Sequence, residues 1–470
     1  MISRRRILTL ACGAAAASTS RFLEGASRRP NFVIIFTDDQ GYGDVGVYGA
    51  TGFQTPNLDR LAREGMRFTS FYVAAPVCTP SRAALLTGCH PMRVGLGHRV
   101  LFPYSETGLN PSEITIAEVL RGRGYRTGCI GKWHLGHHPE FLPTRQGFDS
   151  YFGIPYSNDM GNVDYRQQNF KSPPLPMMRD EEIVESGPDQ RYLTRRYTEE
   201  AVRFIGENKN RPFFLYLAHN MPHLPLAASE KFAGRAAHGL YGDAIEEIDW
   251  GVGEVMAALK NAGVDGDTMV IFTSDNGPVR WQGRARHNSL SGSAGPLRGR
   301  KNTTWEGGMR EPCLMRWPGR IPRGGVCGEL ACAMDLMPTL ARLAGTAAPG
   351  DRIIDGKDIW PLISGQPGAK SPHEVFYYYR DERLQAVRDR RWKIHMYPEE
   401  WEPAERERTR GPLLFDLEND IGETTDAAAK HPDAVRRLEA LAEKAREDLG
   451  DAMQNRTGKN VRPVGRIRKG

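Results

Sequence analysis

Asp38 and Asp39 follow the apolar run FVIIFT, and Asp275 and Asn276 follow MVIFTS. Three carboxylates and one carboxamide form an oxygen-only donor set. Crowded carboxylates repel one another unless a cation or protons offset them, and hard oxygen donors favour calcium or magnesium over zinc. Taken singly, each pair is equally a loop start or a turn; two such pairs after two apolar runs favour a metal. Other polar groups share this address. Lys132 and His134 accompany RTGCIG, while His219 and His223 follow FFLYLA. Cys78 precedes Thr-Pro-Ser-Arg and the apolar pattern Ala83 to Leu86. Pro80 suits a first helical turn, so Cys78 opens a helix, where backbone N–H groups and Arg82 favour an anion. On residue type alone this thiol is a nucleophile, a ligand, half a disulfide or core packing.

The elements that must position these groups are buried strands. NFVIIFTDD, YRTGCIGKWH, RPFFLYLAHN and DTMVIFTSDNG are short, apolar and β-branched. Between them lie helical patterns: TPNLDRLAREG, closed by Gly65; SEITIAEVLRGRG, opened by Ser112; and GDAIEEIDWGVGEVMAALKNAG, with Ile245, Ile248, Val252, Val255, Met256 and Leu259 on one stripe. This alternation predicts an α/β fold with a large, mainly parallel or mixed central sheet sandwiched by helices. The carboxyl ends of parallel strands share one edge, where ligands bind, so the chemistry-bearing residues should converge there.

From about Pro372 the pattern changes. EVFYYYR, LQAVRD, RWKIHMY and LLFDLEN are consecutive short strands, and HPDAVRRLEALAEKAREDL is an amphipathic helix. The expected organisation is a domain over 30–370 and a smaller domain over 371–455, an antiparallel sheet with a helix. The polar span 159–192 is expected as a surface excursion, and the basic tail 456–470 as disordered.

Composition narrows the function class. The chain has 470 residues, 40% of them hydrophobic, and no apolar run long enough to span a membrane. MISRRRILTLACGAAAASTS has the layout of a secretory signal. Its Ser3-Arg4-Arg5-Arg6-Ile7-Leu8 order is similar to a twin-arginine signal, so residues 1–29 predict export to a bacterial periplasm or beyond. Lipid anchoring through Cys12 is disfavoured, because Thr9 stands where an aliphatic residue is needed. The net charge of +6 comes from the two ends, leaving a mildly acidic body, so no nucleic-acid partner is indicated. Seven cysteines (12, 78, 89, 129, 313, 327 and 332) include no CxxC pair, and only Cys327 and Cys332 are spaced to bridge a loop.

CTPSR, Cys78 to Arg82, resembles the type I sulfatase signature Cys-x-Pro-Ser-Arg, and GYRTGCIGKWHLG, Gly124 to Gly136, resembles the second signature of that family. GIPYSND, SDNG, KNTTWEGGMREP and LFDLENDIGETTD extend the likeness along nearly the whole chain. It is nearest to the arylsulfatase A and N-acetylgalactosamine-sulfatase branch of the alkaline-phosphatase-like superfamily. The resemblance implies a sulfuric ester hydrolase in which a sulfatase-maturing enzyme converts Cys78 to formylglycine, whose hydrate supplies the nucleophile. It also implies one calcium ion, held by Asp38, Asp39, Asp275, Asn276 and an oxygen of residue 78. Arg82 would stabilise the hydrate and His134 would hydrogen-bond it. Lys132, His223 and Lys301 would grip the sulfate, with Ser157 nearby.

The family pattern Pro-His-x-Pro fits Pro222 to Pro225. His223 is therefore expected to protonate the departing alcohol, with His219 behind it. The implied substrate is a sulfated sugar or polysaccharide. A phosphonate or phosphate ester hydrolase on the same fold, and an inactive exported glycan-binding protein, are the rival readings. The basic loop RWQGRARHN, Arg280 to Asn288, is either a sugar contact or a solvated loop.

Overall fold

Eleven strands build the central sheet of the computed structural model, which describes residues 29–165, 170–279, 291–397 and 412–467. Residues 1–28 of the expected export signal, Cys12 among them, and the basic loop Arg280 to Asn288 lie outside the described residues. In chain order the strands are β1 (Asn31–Thr37), β2 (Met66–Tyr72), β3 (Arg126–Lys132), β4 (Ser150–Ile154), β5 (Pro176–Arg179), β6 (Glu182–Ser186), β7 (Phe213–Ala218), β8 (Thr268–Ser274), β9 (Arg310–Arg316), β10 (Gly325–Cys327) and β11 (Ala331–Cys332). They lie in the order β10-β2-β9-β8-β1-β7-β3-β4-β5-β6, with β11 also paired to β2. The five central strands β8, β1, β7, β3 and β4 are all parallel, and antiparallel partners flank them on both sides. Register aligns their carboxyl ends: Phe36 pairs with Ala218, Thr37 with Ser274, and Ala218 with Gly131.

Both faces of β1 are buried, as its unbroken apolar run requires. Phe32, Ile34 and Phe36 point into one core, and Val33 and Ile35 into the other. The helices divide accordingly. α1 (Pro56–Glu64), α4 (Leu193–Asn208) and α5 (Leu240–Asn261) cover the second face; α2 (Cys78–Thr87), α3 (Ile116–Arg121) and α6 (Leu336–Leu343) cover the first. A separate four-stranded antiparallel sheet follows, β12 (Phe376–Arg380), β13 (Arg383–Arg388), β14 (Trp392–His395) and β15 (Leu413–Asp416). Helix α7 (Pro432–Leu449) packs Leu438, Ala442 and Leu449 against Leu384, Val387 and Ile394 of this sheet. The expected fold class is the observed one. No helix among the described residues is long and apolar enough to cross a membrane.

Three local expectations are corrected. α3 is capped by Thr115, not Ser112: the Thr115 hydroxyl accepts from Glu118 N, and the Glu118 carboxylate accepts from Thr115 N. Within 159–192, β5 and β6 form a hairpin that extends the central sheet through Phe152 and Gly153. The tail, expected to be disordered from 456 onward, is placed through residue 467. Its basic groups find acidic partners, Arg456 on Glu443 and Arg462 on Glu113. Gly465–Arg466 then pairs antiparallel with Thr107–Gly108. Cys327 and Cys332 are free thiols, as are Cys78, Cys89, Cys129 and Cys313.

Candidate active site

The carboxyl ends of four parallel strands deliver the predicted groups to one buried pocket. β1 delivers Asp38 and Asp39, β8 delivers Asp275 and Asn276, β3 ends on Lys132, and the segment after β7 brings His223. Asp39 and His134 both have positive φ, 66° and 59°. Non-glycine residues rarely adopt this conformation, and it turns the chain sharply enough to keep both side chains at the sheet edge. Cys78 stands on the first turn of α2, whose residues are all buried.

Three cations meet three carboxylates there. Lys132 Nζ lies 2.6 Å from Asp38 Oδ2 and 3.1 Å from Ser157 Oγ. Arg82 donates to Asp275 Oδ2 from Nη2 at 2.7 Å and Nε at 3.1 Å, and to the Lys132 carbonyl at 3.1 Å. Lys301 Nζ sits on Asp39, 2.6 Å from Oδ1 and 2.8 Å from Oδ2. Cys78 Sγ is 3.4 Å from Asp38 Oδ1 and 3.7 Å from Lys301 Nζ. His223 Nε2 approaches Asp39 Oδ2 at 3.6 Å. All the sequence-predicted residues except His219 and His134 are therefore tied directly into one ionic cluster.

Protonation follows from burial and these neighbours. Burial alone would raise Asp38, but Lys132, His223, Arg82 and Lys301 together hold its carboxyl well below the usual range. Asp275 moves the other way, raised by burial and by Asp38 beyond what Arg82 offsets. The Cys78 thiol is pushed far up by burial and by Asp38, so it stays protonated. Burial and Lys301 lower His223; burial, Lys132 and Arg82 lower His134 further.

His134 Nε2 is 2.8 Å from the Leu101 carbonyl, which fixes the proton on that nitrogen and leaves Nδ1, buried and without a partner among the described residues, as an acceptor. Thr79 Oγ1 braces this arrangement, donating to the His134 carbonyl and accepting from Leu101 N. The Leu101 carbonyl went unseen in the sequence because a backbone acceptor carries no residue signature. His219 is buried beside β1, its N donating to the Phe36 carbonyl, and neither ring nitrogen has a partner among the described residues. Burial lowers it to about 4.

A family model described as Sulfatase matches residues 30–346, and one described as C-terminal region of aryl-sulfatase matches 371–466. The chain belongs to the sulfatase family. Human (Homo sapiens) arylsulfatase A is 41% identical over 93% of this chain and 90% of its own length. The N-acetylgalactosamine-6-sulfatase of Sus scrofa is 39% identical over 90% of this chain and 87% of its own. Among solved structures, the PsFucS1 sulfatase from Pseudoalteromonas sp. superposes with a TM-score of 0.77 at 31% identity, covering 89% of this chain and 91% of that one. This sulfatase is accordingly a sulfuric ester hydrolase with the alkaline-phosphatase-like architecture, and the thiol, lysines and carboxylates described above lie at its sheet edge.

Proposed function

We propose that this sulfatase removes sulfate from a sulfated sugar, using a formylglycine made from Cys78 and one calcium ion held by Asp38, Asp39, Asp275 and Asn276. The observation that carries the metal assignment is the donor chemistry. Three carboxylates converge, and Asn276 Oδ1 is buried without a hydrogen-bond partner among the described residues, while its Nδ2 donates to Asp39 Oδ1 at 2.8 Å. An oxygen-rich set with one orphaned carbonyl fits a hard divalent cation. Cys78 and His223 also lie within ligand reach of Asp38 and Asp39. The soft thiol disappears on conversion, and the imidazole has a separate task.

The pocket's charge supports this reading. Arg82, Lys132 and Lys301 already balance the three carboxylates, so a divalent ion makes the pocket net positive and suited to an anionic ester. Conversion of Cys78 is supported by the state of the thiol: buried and held protonated, it is a poor nucleophile. When present, the hydrated aldehyde would supply an attacking oxygen, and a cation held by Asp38, Asp39, Asp275 and Asn276 would lower that oxygen's pKa.

The remaining roles belong to the chain's own side chains. Lys132 and Lys301 bind the sulfuryl oxygens and offset charge that grows on them in the transition state. Ser157 Oγ orients Lys132. Arg82 fixes Asp275, whose raised carboxyl is the proton acceptor. His223 donates from Nδ1 to the Leu224 carbonyl at 2.6 Å and so turns Nε2 into the pocket, where its doubly protonated form gives a proton to the departing alcohol. His134 Nδ1 accepts the proton whose loss releases sulfate. His219 supports the segment that carries His223.

The name of the N-acetylgalactosamine-6-sulfatase relative supports a sugar as the alcohol. The arrangement proposed for the whole chain is an export signal over 1–29, a catalytic domain over 30–370 and a C-terminal domain from 371. Delivery is to a periplasmic or extracellular space, after a maturation enzyme has acted. The test is release of inorganic sulfate from defined sulfated mono- and oligosaccharides, measured beside hydrolysis of 4-nitrophenyl phosphate. Sulfate release that calcium chelation stops, with the phosphate ester turned over far more slowly, supports the reading. Preference for the phosphate ester overturns it.

A further inference from the structure

KNTTWEGGMREP, which carries Lys301, and LFDLENDIGETTD near the end of the chain meet in a buried charged knot that the reaction does not use. Glu306, Lys393 and Glu423 are fully buried. Lys393 Nζ lies 2.9 Å from Glu306 Oε1 and 2.9 Å from Glu423 Oε1, and donates to the Thr304 carbonyl at 2.8 Å. Glu423 Oε2 accepts from Glu306 N at 2.7 Å. Thr304 Oγ1 donates to Gln385 Oε1 at 2.8 Å. Trp305 is clamped between the His395 ring, 3.9 Å away between centroids, and the Arg298 guanidinium, 3.7 Å from its centroid. Gln385, Lys393 and His395 all belong to β13 and β14 of the second sheet.

An apolar cluster of equal volume would join two sheets at least as strongly, because desolvating charges opposes their attraction. What a network of directed bonds adds is a fixed geometry. The residues it fixes, Thr304 to Glu306, lie only three to five positions beyond Lys301. On its other side the same loop is pinned to the pocket: Lys301 N donates to the Pro278 carbonyl, and Asn302 N to the Pro76 carbonyl. Pro76 is two residues before Cys78, and Pro278 two after Asn276.

We propose that Lys393, together with Glu306 and Glu423, is a positioning residue for Lys301: the second sheet sets the height of the Lys301 ammonium over Cys78 by holding the Thr304 carbonyl. This inference rests on the sulfate-binding role given to Lys301 above. It assigns the C-terminal sheet a part in turnover, acting through one loop without touching substrate.

The experiment is a double-mutant cycle in the full-length, matured protein with saturating calcium: wild type, Lys301→Ala, Lys393→Met and the double variant. A misplacement of about 1 Å costs about a hundredfold, so Lys393→Met should lower kcat/KM by about tenfold to a hundredfold in the wild-type background. In the Lys301→Ala background it should cost less than about twofold, since the group it positions is gone. Equal losses in both backgrounds, or no loss in either, overturn the inference. If Lys393→Met does not fold, Glu423→Gln, which keeps the volume but weakens the ion pair that holds Lys393, takes its place, and the same comparison decides with a smaller expected loss. A Lys301→Ala protein as active as wild type refutes the role of Lys301 itself. A damaged Lys301→Ala beside an unaffected Lys393→Met refutes the positioning alone.

Discussion

Lys132→Met separates the two tasks assigned to this ammonium. In the structure Lys132 Nζ is 2.6 Å from Asp38 Oδ2, with both side chains fully buried. Removing one partner of such a pair costs up to about 3–5 kcal/mol, reduced here because Arg82 still stands 3.7 Å from Asp38 Oδ1. Calcium should return part of that loss, because the cation compensates the same carboxylate and binds the variant, freed of the competing ammonium, more tightly than the wild type. Turnover should not recover. The Lys132 donor to the sulfuryl oxygens is missing whatever the metal does, and loss of one such preorganised donor costs about 10²–10³ in kcat. The assay pairs thermal melting, with calcium and with chelator, against hydrolysis of 4-nitrophenyl sulfate. The expected pattern is a melting loss larger in chelator than in calcium, beside a turnover loss that persists in saturating calcium. Turnover within about fivefold of wild type, or melting losses equal in the two conditions, would refute the reasoning.

His223→Gln should slow hydrolysis of a sugar sulfate by about 10²–10³, but slow 4-nitrophenyl sulfate much less, because nitrophenolate leaves without a proton; equal losses on both substrates contradict the general-acid role. Chelation of the wild type should abolish sulfate release and lower the melting temperature together, and calcium should restore both. His90, far from the pocket chemistry, is lowered to about 4 by burial, with Arg93 adding to the effect. Its unfolded value is about 6.5, so the unfolded chain binds the extra proton between these two values. The stability from keeping His90 neutral is thus present above about pH 6.5 and lost as pH falls towards 4, by about 3 kcal/mol. His90→Gln should flatten that part of the stability profile in urea titrations at pH 7 and pH 5; an unchanged slope contradicts it.

The central sheet was legible because its parallel strands are buried on both faces. FVIIFT and MVIFTS could only be interior, and the residues after them had to share an edge. Asp38, Asp39, Asp275 and Asn276 followed from that, while the roles of Lys132, His134 and Lys301 needed the family's motifs. Contacts made by backbone groups were not legible. The Leu101 carbonyl that sets the His134 tautomer has no sequence signature, and neither does the Thr304 carbonyl that Lys393 grips. The tail failed for a different reason. Composition marked it as solvated, yet Arg462 meets Glu113, a partner 349 residues away that a local reading of charge does not see. Strands β5 and β6 are likewise short and polar at their ends, and they are strands because β4 offers an edge to pair with.

The most direct measurement is the mass of the Cys78 peptide from protein produced with a sulfatase-maturing enzyme, taken beside the turnover of the same preparations. Sulfate release should rise in proportion to the fraction of peptide carrying the aldehyde in place of the thiol, and Cys78→Ala should fold with calcium bound yet release none. A fully active preparation in which residue 78 is still a cysteine would contradict the mechanism.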